Sequence, residues 1–412
     1  MKSVGIESYS FYVPGYYLDL GVLAQSRGVD ASKFHVGLGQ DRMSFPPPDE
    51  DVVTMAANAA RVAMEGIPPE SVDSLIFATE SGIDQSKAAG IYVHHLLGLS
   101  KHCKAFEVKQ ACCGSTAALQ MALAFVTQKP DRRVLIIASD IARYGINTPG
   151  EPTQGAAAFA MVVSSNPRII AFEPEWGSYT EDVMDFWRPN YLDEALVDGK
   201  YSIKVYLKSL AESWKQYSEE SGRGLDQHKH FCYHLPFTRM AQKAHGHLLN
   251  IGGAPDTGKD VIRAHIGRSL EYNRLIGNSY TASLYIGLAS LLEQSSDDLS
   301  DARVGMFSYG SGCMAAFFSG VIQPGYSDYL QGDLHRRMLE AREPLTYEQY
   351  ETFYRHILPE DGRDYVTPHH NTCRYRLSGI KDHKRIYKEV PARSGGNSKI
   401  LRYEPVQAAQ AL

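Results

Sequence analysis

The chain has 412 residues, 43% hydrophobic and 22% charged, which describes an ordinary globular protein with room for more than one core. Its net charge of −5 lacks the basic excess of a nucleic-acid binder, and no apolar run approaches the roughly 20 residues of a membrane span. Met1 to Pro14 shows no apolar secretory core, and six cysteines without regular spacing do not make a disulfide framework, so free thiols in the reducing cytoplasm are expected.

Along the first half, strands and helices alternate. Val4 to Tyr12 alternates as a strand, and Asp49-Glu50-Asp51 places acids at the start of a helix running through Met64. Ser74 to Thr79 is a short apolar strand, Ser86 to Leu97 a helix, and Cys103 to Val108 a further strand. Thr116 to Thr127 is a helix apolar on nearly every side, hence buried. Arg133 to Ser139 and Ala156 to Val163 are continuous apolar runs, as in strands covered on both faces. The second half repeats the plan. A strand begins at Arg168 to Phe172, followed by a helix over Ser202 to Ser218, a strand over His230 to His234 and a helix over Thr238 to Leu249. An apolar helix, Thr281 to Glu293, precedes two strands, Arg303 to Ser308 and Met314 to Val321, around the turn Tyr309-Gly310-Ser311-Gly312. Polar helices near Asp328 to Arg342 and Thr346 to His356 lead to a basic tail, Arg374 to Arg402. This is an α/β pattern, one supersecondary plan used twice.

The chemistry concentrates at strand ends. In Gln110-Ala111-Cys112-Cys113-Gly114, two thiols stand between a strand and a buried helix. A cysteine there lies at the positive end of the helix dipole, which favours thiolate and nucleophilic work; the alternative is a packed, inert thiol. Glu80 leaves an apolar strand into a glycine turn, where desolvation raises a carboxyl pKa and suits a general base; otherwise it is a surface acid. His234 ends a strand, where ligands of α/β sheets gather, or is a hydrogen-bonded core residue. His228, His230, Cys232 and His234 alternate along that strand, but no second ligand cluster of zinc-site spacing accompanies them, so no metal is expected. Gly37 and Gly39 lack the third glycine of a dinucleotide fingerprint, Arg42 standing there, and read as a loop. The turn Ser308 to Cys313 offers backbone N–H groups for an oxyanion hole, or is a plain hairpin. Arg239 and Lys243, four apart on one helix face, suit a phosphate or a solvated surface.

Taken together, Ala78-Thr79-Glu80-Ser81, Gln110-Ala111-Cys112, Asp140-Ile141-Ala142-Arg143-Tyr144-Gly145, the block Gly150 to Ala156, Tyr179 to Pro189, Tyr233-His234-Leu235-Pro236-Phe237, Gly277-Asn278-Ser279-Tyr280-Thr281 and Phe307 to Gly312 closely resemble hydroxymethylglutaryl-CoA synthase, of the thiolase superfamily. The likeness covers nearly the whole chain and is strongest to the bacterial mevalonate-pathway form. It implies duplicated thiolase-like α/β halves in a layered αβαβα architecture: residues 1–167 with the nucleophile, and 168–412 with the histidine, the oxyanion turn and a C-terminal extension. By resemblance, Cys112 accepts acetyl from acetyl-CoA, Glu80 removes a methyl proton, and His234 polarises the ketone of acetoacetyl-CoA. Asn278 and Tyr144 fall at substrate positions, backbone N–H groups of Cys112 and Ser311 hold the thioester oxygen, and Arg239 and Lys243 match basic positions presented to the nucleotide. No metal or redox cofactor is implied; a homodimer is. One departure stands: the family usually has an aromatic residue where this chain has Cys113.

The near relative is the polyketide branch, which condenses acetyl units onto β-keto groups held by acyl carrier protein. Val108 to Cys112 and Ser311-Gly312-Cys313 resemble that branch, whereas Arg239, Lys243 and the full Gly150 to Gly155 block favour CoA as the carrier. In the basic tail, Lys381, Lys384, Arg385 and Lys388 suit a phosphate, an acidic carrier protein or plain solvation. A thiolase-fold protein that binds acyl-CoA without turnover would lack one of the catalytic three, and all three are present.

Overall fold

The computed structural model describes residues 3–370 and 372–390. Its central sheet has nine strands. These are β1 (Gly5–Tyr12), β2 (Val72–Ala78), β3 (Lys104–Val108), β4 (Arg133–Ala142), β5 (Gly155–Ser164), β6 (Ile170–Thr180), β7 (His230–Tyr233), β8 (Arg303–Gly310) and β9 (Met314–Ile322). Across the sheet they run β7-β8-β9-β6-β1-β5-β4-β2-β3. On one side, β2 is parallel to β3 and β4, followed by antiparallel β5 and β1. On the other, β7 is parallel to β8, followed by antiparallel β9 and β6. Apart from β3, which has no counterpart among the described strands, the same order and sense thus occur twice, and the two copies meet where Gly5 and Ile6 pair with Ala171 and Ile170.

The helices that cover this sheet include α1 (Val52–Ala63), α2 (Gly114–Gln128), α3 (Gly199–Ser221), α4 (Thr238–Ile251) and α5 (Ser283–Gln294). Outer layers form where α1 packs on β1, β4 and β5, and α3 on β6 and β9. Between them, α2 packs on β2 and β4, and α5 on β7 and β8. These inner helices touch: Ser115 Oγ donates to the Thr281 carbonyl at 2.6 Å, and the Thr116 and Tyr285 hydroxyls are 2.9 Å apart. The result is the layered αβαβα arrangement.

Local chemistry explains these elements. Every residue of β5 is buried, as its unbroken apolar run requires of a strand covered on both faces. Asp51 caps α1 by accepting from Val53 and Thr54, with Thr54 Oγ1 returning the bond in a capping box. Gly177 lets α3 lie close on β6, since a Cβ there would sit 1.8 Å from the Ser213 carbonyl. The alternation also missed elements. Short strands at Tyr16–Asp19 and Arg42–Phe45 and a helix at Leu20–Arg27 form a satellite core with Tyr350 and Tyr354.

The basic C-terminal stretch is not a solvated tail as far as it is described. Tyr375–Lys381 and Lys384–Glu389 form a hairpin whose polar groups dock on the acids before α1. Arg376 pairs with Asp49 at 3.1 Å, and the Tyr387 hydroxyl donates to Asp51 at 2.6 Å. Arg385 reaches the Ile83 carbonyl, while Lys381, Lys384 and Lys388 stay exposed. Residues 391–412, with Arg393, Lys399 and Arg402, lie outside the described residues.

Candidate active site

Glu80 and His234 leave the sheet just past the ends of β2 and β7, which hold equivalent places in the two copies. Cys112 stands between β3 and α2 in a tight turn. Ala111 there has a left-handed φ of 42°, and the Cys113 N–H donates to the Gln110 carbonyl at 3.0 Å. A left-handed alanine costs about 1–2 kcal/mol, a strain that surrounding packing must hold. Its effect is to aim Cys112 at Glu80: Sγ donates to Oε1 at 2.9 Å. Cys113 turns the other way, fully buried against the Ser308 hydroxyl at 3.4 Å. Of the two thiols, Cys112 lines a cavity of ≈ 480 Å³, together with Tyr144, His234, Asn278 and Ser311.

Burial sets the electrostatics. It pushes Glu80 up to about 8, helped by the Asp140 carboxylate and opposed by the hydrogen bond from Cys112. Burial and then Glu80 raise the Cys112 thiol well above its ordinary value. The helix-dipole expectation of a lowered thiol pKa is therefore overturned. The first residue of α2 is Gly114, so Cys112 precedes the helix, and desolvation beside a carboxyl outweighs the dipole.

Asp140 at the end of β4 organises this corner. It accepts from Thr79 Oγ1 at 2.8 Å, the Glu80 N–H at 2.9 Å, the Ser81 N–H at 3.0 Å and the Thr281 N–H at 3.1 Å, and also from Thr281 Oγ1. Arg188 holds the Glu80 carbonyl. In the sequence Asp140, like Glu80, is a carboxylate at the end of an apolar strand, the signal that could mark it.

His234 is fixed at three points. Its N–H donates to the Phe307 carbonyl at 2.8 Å, its carbonyl accepts from the Tyr206 hydroxyl at 2.8 Å, and Nδ1 lies 2.7 Å from Ser283 Oγ. Ser283 Oγ also accepts the Leu235 N–H at 3.2 Å and has one proton that it can give to Nδ1. With Ser283 as the donor to Nδ1, the neutral ring carries its own proton on Nε2. Burial lowers the imidazole pKa to about 3, making His234 a neutral donor at working pH.

The Ser311 turn presses on the Cys112 turn. A Cβ on Gly310 would sit 2.5 Å from the Gln110 carbonyl and 2.8 Å from the Cys113 Cβ, so only glycine fits. Buried Asp185 ties the turn down, accepting from the Tyr309 hydroxyl at 2.6 Å, the Gly312 N–H at 3.1 Å and Ser202 at 2.9 Å. The turn is thus both a β8–β9 hairpin and a wall of the cavity.

With this geometry, the comparisons with known proteins are direct. The model described as hydroxymethylglutaryl-coenzyme A synthase N terminal matches residues 1–168, and the C-terminal model matches 170–252 and 253–357. The chain belongs to the hydroxymethylglutaryl-CoA synthase family. It is 40% identical over 386 residues to the hydroxymethylglutaryl-CoA synthase of Enterococcus faecalis, covering 94% of this chain and 100% of that one. It is 32% identical over 375 residues to the polyketide biosynthesis 3-hydroxy-3-methylglutaryl-ACP synthase PksG of Bacillus subtilis (strain 168), covering 86% of this chain and 89% of the relative. A solved structure of an HMG-CoA synthase complexed with CoA matches with a TM-score of 0.88 and 39% identity, over 94% of this chain and 100% of that one. The HMG synthase of the curacin biosynthetic pathway, in complex with holo donor-ACP, matches with a TM-score of 0.88 and 31% identity over the same shares. The layered fold is the thiolase-like one.

The remaining expected site residues of this family member fall in two groups. Asn278 lies on the cavity wall with its Oδ1 held by the Tyr280 N–H at 2.9 Å. Tyr144 packs edge-on against Phe186, with ring centroids 6.0 Å apart. Arg239 and Lys243, by contrast, are exposed on α4 and do not line the cavity, although Met240 between them does. The Gly37–Gly39 loop has a definite role, since Leu38 and Gly39 carbonyls accept from the Arg239 N–H and Thr238 Oγ1 at the start of α4. The alternating histidines do not converge: His228 binds Tyr217 at 2.9 Å while His234 faces the cavity. Among the described residues, no group of three or more His, Cys, Asp or Glu could hold a metal ion.

Proposed function

We propose that this protein condenses acetyl-CoA with acetoacetyl-CoA to give hydroxymethylglutaryl-CoA, as an acyltransferase working through an acetyl-cysteine. The observation that carries the reading is the Cys112–Glu80 contact of 2.9 Å beside a cavity that His234 also lines. Deprotonated Glu80 takes the thiol proton, Cys112 attacks the acetyl carbonyl, and CoA leaves as its thiol with that proton. Glu80 is then free to remove a proton from the acetyl methyl group, which the thioester acidifies. The enolate carbon attacks the ketone of the acceptor, whose oxygen receives the Nε2–H bond of His234 and then the proton that Glu80 took from the methyl group. Backbone N–H groups of Cys112 and Ser311 stabilise the oxyanions, with Asp185 and Gly310 keeping that turn in place. Water finally cleaves the Cys112 thioester, leaving a carboxylate and a free thiol.

Within the same proposal, Tyr144 and Asn278 contact the acyl parts, and Arg239 and Lys243 at the outer rim meet the phosphates of CoA. The product feeds isoprenoid synthesis by the mevalonate route in the cytoplasm. A homodimer paired through β3 is supported by the edge position of that strand and by the exposure of Phe106, Ile91 and Met121 around it. Among the described residues, no helix is long and apolar enough to cross a membrane.

The polyketide reading stays open because the curacin enzyme's structure matches with the same TM-score of 0.88 as the CoA-bound synthase. Steady-state assays with acetoacetyl-CoA and with acetoacetyl-carrier protein separate the two. Comparable or higher kcat/KM with the CoA ester supports the proposal; strong preference for the carrier-bound acceptor replaces it with the second reading.

A further inference from the structure

A second cavity, of ≈ 460 Å³, opens between the loop after β2, residues 356–362 and the C-terminal hairpin, and it shares no lining residue with the substrate cavity. Arg143, Arg188 and Arg385 all line it. Each donates one hydrogen bond, to the carbonyls of Tyr354, Glu80 and Ile83 respectively. A guanidinium has five N–H donors, so most of the three groups' capacity is unspent. Among the described residues, Arg143 and Arg188 form no ion pair, and Arg385 has only Asp84, at 3.7 Å. Half-buried cations with unmatched donors are unfavourable in isolation and become favourable once an oxyanion completes them. His356 and His383 share the walls, and the carboxylates of Asp193 and Glu360 are exposed.

We propose that this cleft binds a free phosphate-type anion, distinct from the acyl-CoA ligand of the substrate cavity. Three guanidinium groups lining one cleft suit a phosphate or diphosphate, whose several oxygens accept bidentate bonds. The site adjoins the catalytic frame. Arg188 holds the carbonyl of Glu80, and Arg143 precedes Tyr144, so a bound anion draws on the groups that seat the base and the cavity wall.

Isothermal titration of the full chain with inorganic diphosphate tests this. The expected result is one anion per chain, with affinity falling as salt rises. Arg385→Gln should weaken binding at least about tenfold and Arg385→Lys less, because it keeps the charge but loses the fork. If Arg385→Gln does not fold by circular dichroism, Arg143→Gln makes the same prediction. Alkylating Cys112 to block the substrate cavity should leave binding unchanged. No heat at millimolar diphosphate, binding indifferent to the folded arginine variants, or binding lost on alkylation would each overturn the proposal.

Discussion

The two copies of the sheet end alike and present opposite chemistry. Strands β2 and β7 hold equivalent positions, and each delivers one titratable side chain at its carboxyl end. In the first copy Glu80 meets a thiol and a second carboxylate, and burial pushes it up to about 8. In the second, His234 meets a serine hydroxyl, and burial pushes it down to about 3. One cause, desolvation, drives both toward neutrality. For a carboxyl that means a base available only after it loses its proton. For an imidazole it means a hydrogen-bond donor whose state hardly varies with pH. Duplication supplied two equivalent openings at the sheet's end, and the local partners gave each its role.

The sharpest way to break this comparison is to remove the group that both ends serve. Cys112→Ala should abolish the acetyl adduct in intact-protein mass spectrometry, whereas Cys113→Ala, which loses only its contact with Ser308, should keep it. Persistent stoichiometric acetylation of Cys112→Ala would shift the nucleophile to Cys113. Next in size, Glu80→Ala should cut condensation by about 10²–10⁴-fold, the usual contribution of a positioned base, while acetylation remains measurable in a single turnover.

The pH profile separates the two ends without mutation. Glu80 is raised, so its basic form is lost as pH falls, and condensation should drop about tenfold per unit below pH of about 8. His234 has a pKa of about 3 and should add no second limb in the neutral range. A bell-shaped profile with an acidic limb that survives Glu80→Gln would contradict this assignment. The smallest effect is expected for Ser283→Ala. Loss of the bond that sets the His234 tautomer should cost about 1 kcal/mol, or five- to tenfold, and appear in the acceptor's KM and in kcat but not in the acetylation rate.

Much of this was legible in the sequence because it depends on neighbours in the chain. Unbroken apolar runs gave β4 and β5, and the carboxyl ends of short strands marked Glu80 and His234. What escaped depends on distant segments. Asp140 acts through Thr281, 141 residues away, and the C-terminal hairpin is pinned by Arg376 to Asp49, 327 residues away. Neither pairing leaves a periodic trace. The thiol's raised pKa was missed for the same reason. The dipole belongs to the adjoining helix alone, while the deciding groups, Glu80 and the burying walls, arrive from elsewhere in the fold.

The most direct test is a paired single-turnover experiment with labelled acetyl-CoA on Glu80→Ala and His234→Ala, reading first the adduct on the Cys112 peptide and then product after acetoacetyl-CoA is added. The account predicts acetylated Cys112 in both variants, more slowly in Glu80→Ala because the thiol has lost its proton acceptor, and product in neither: one variant lacks the base that forms the enolate, the other the donor that polarises the ketone. Substantial product from either variant, or a His234→Ala enzyme that cannot be acetylated, would contradict the division of labour between the two halves.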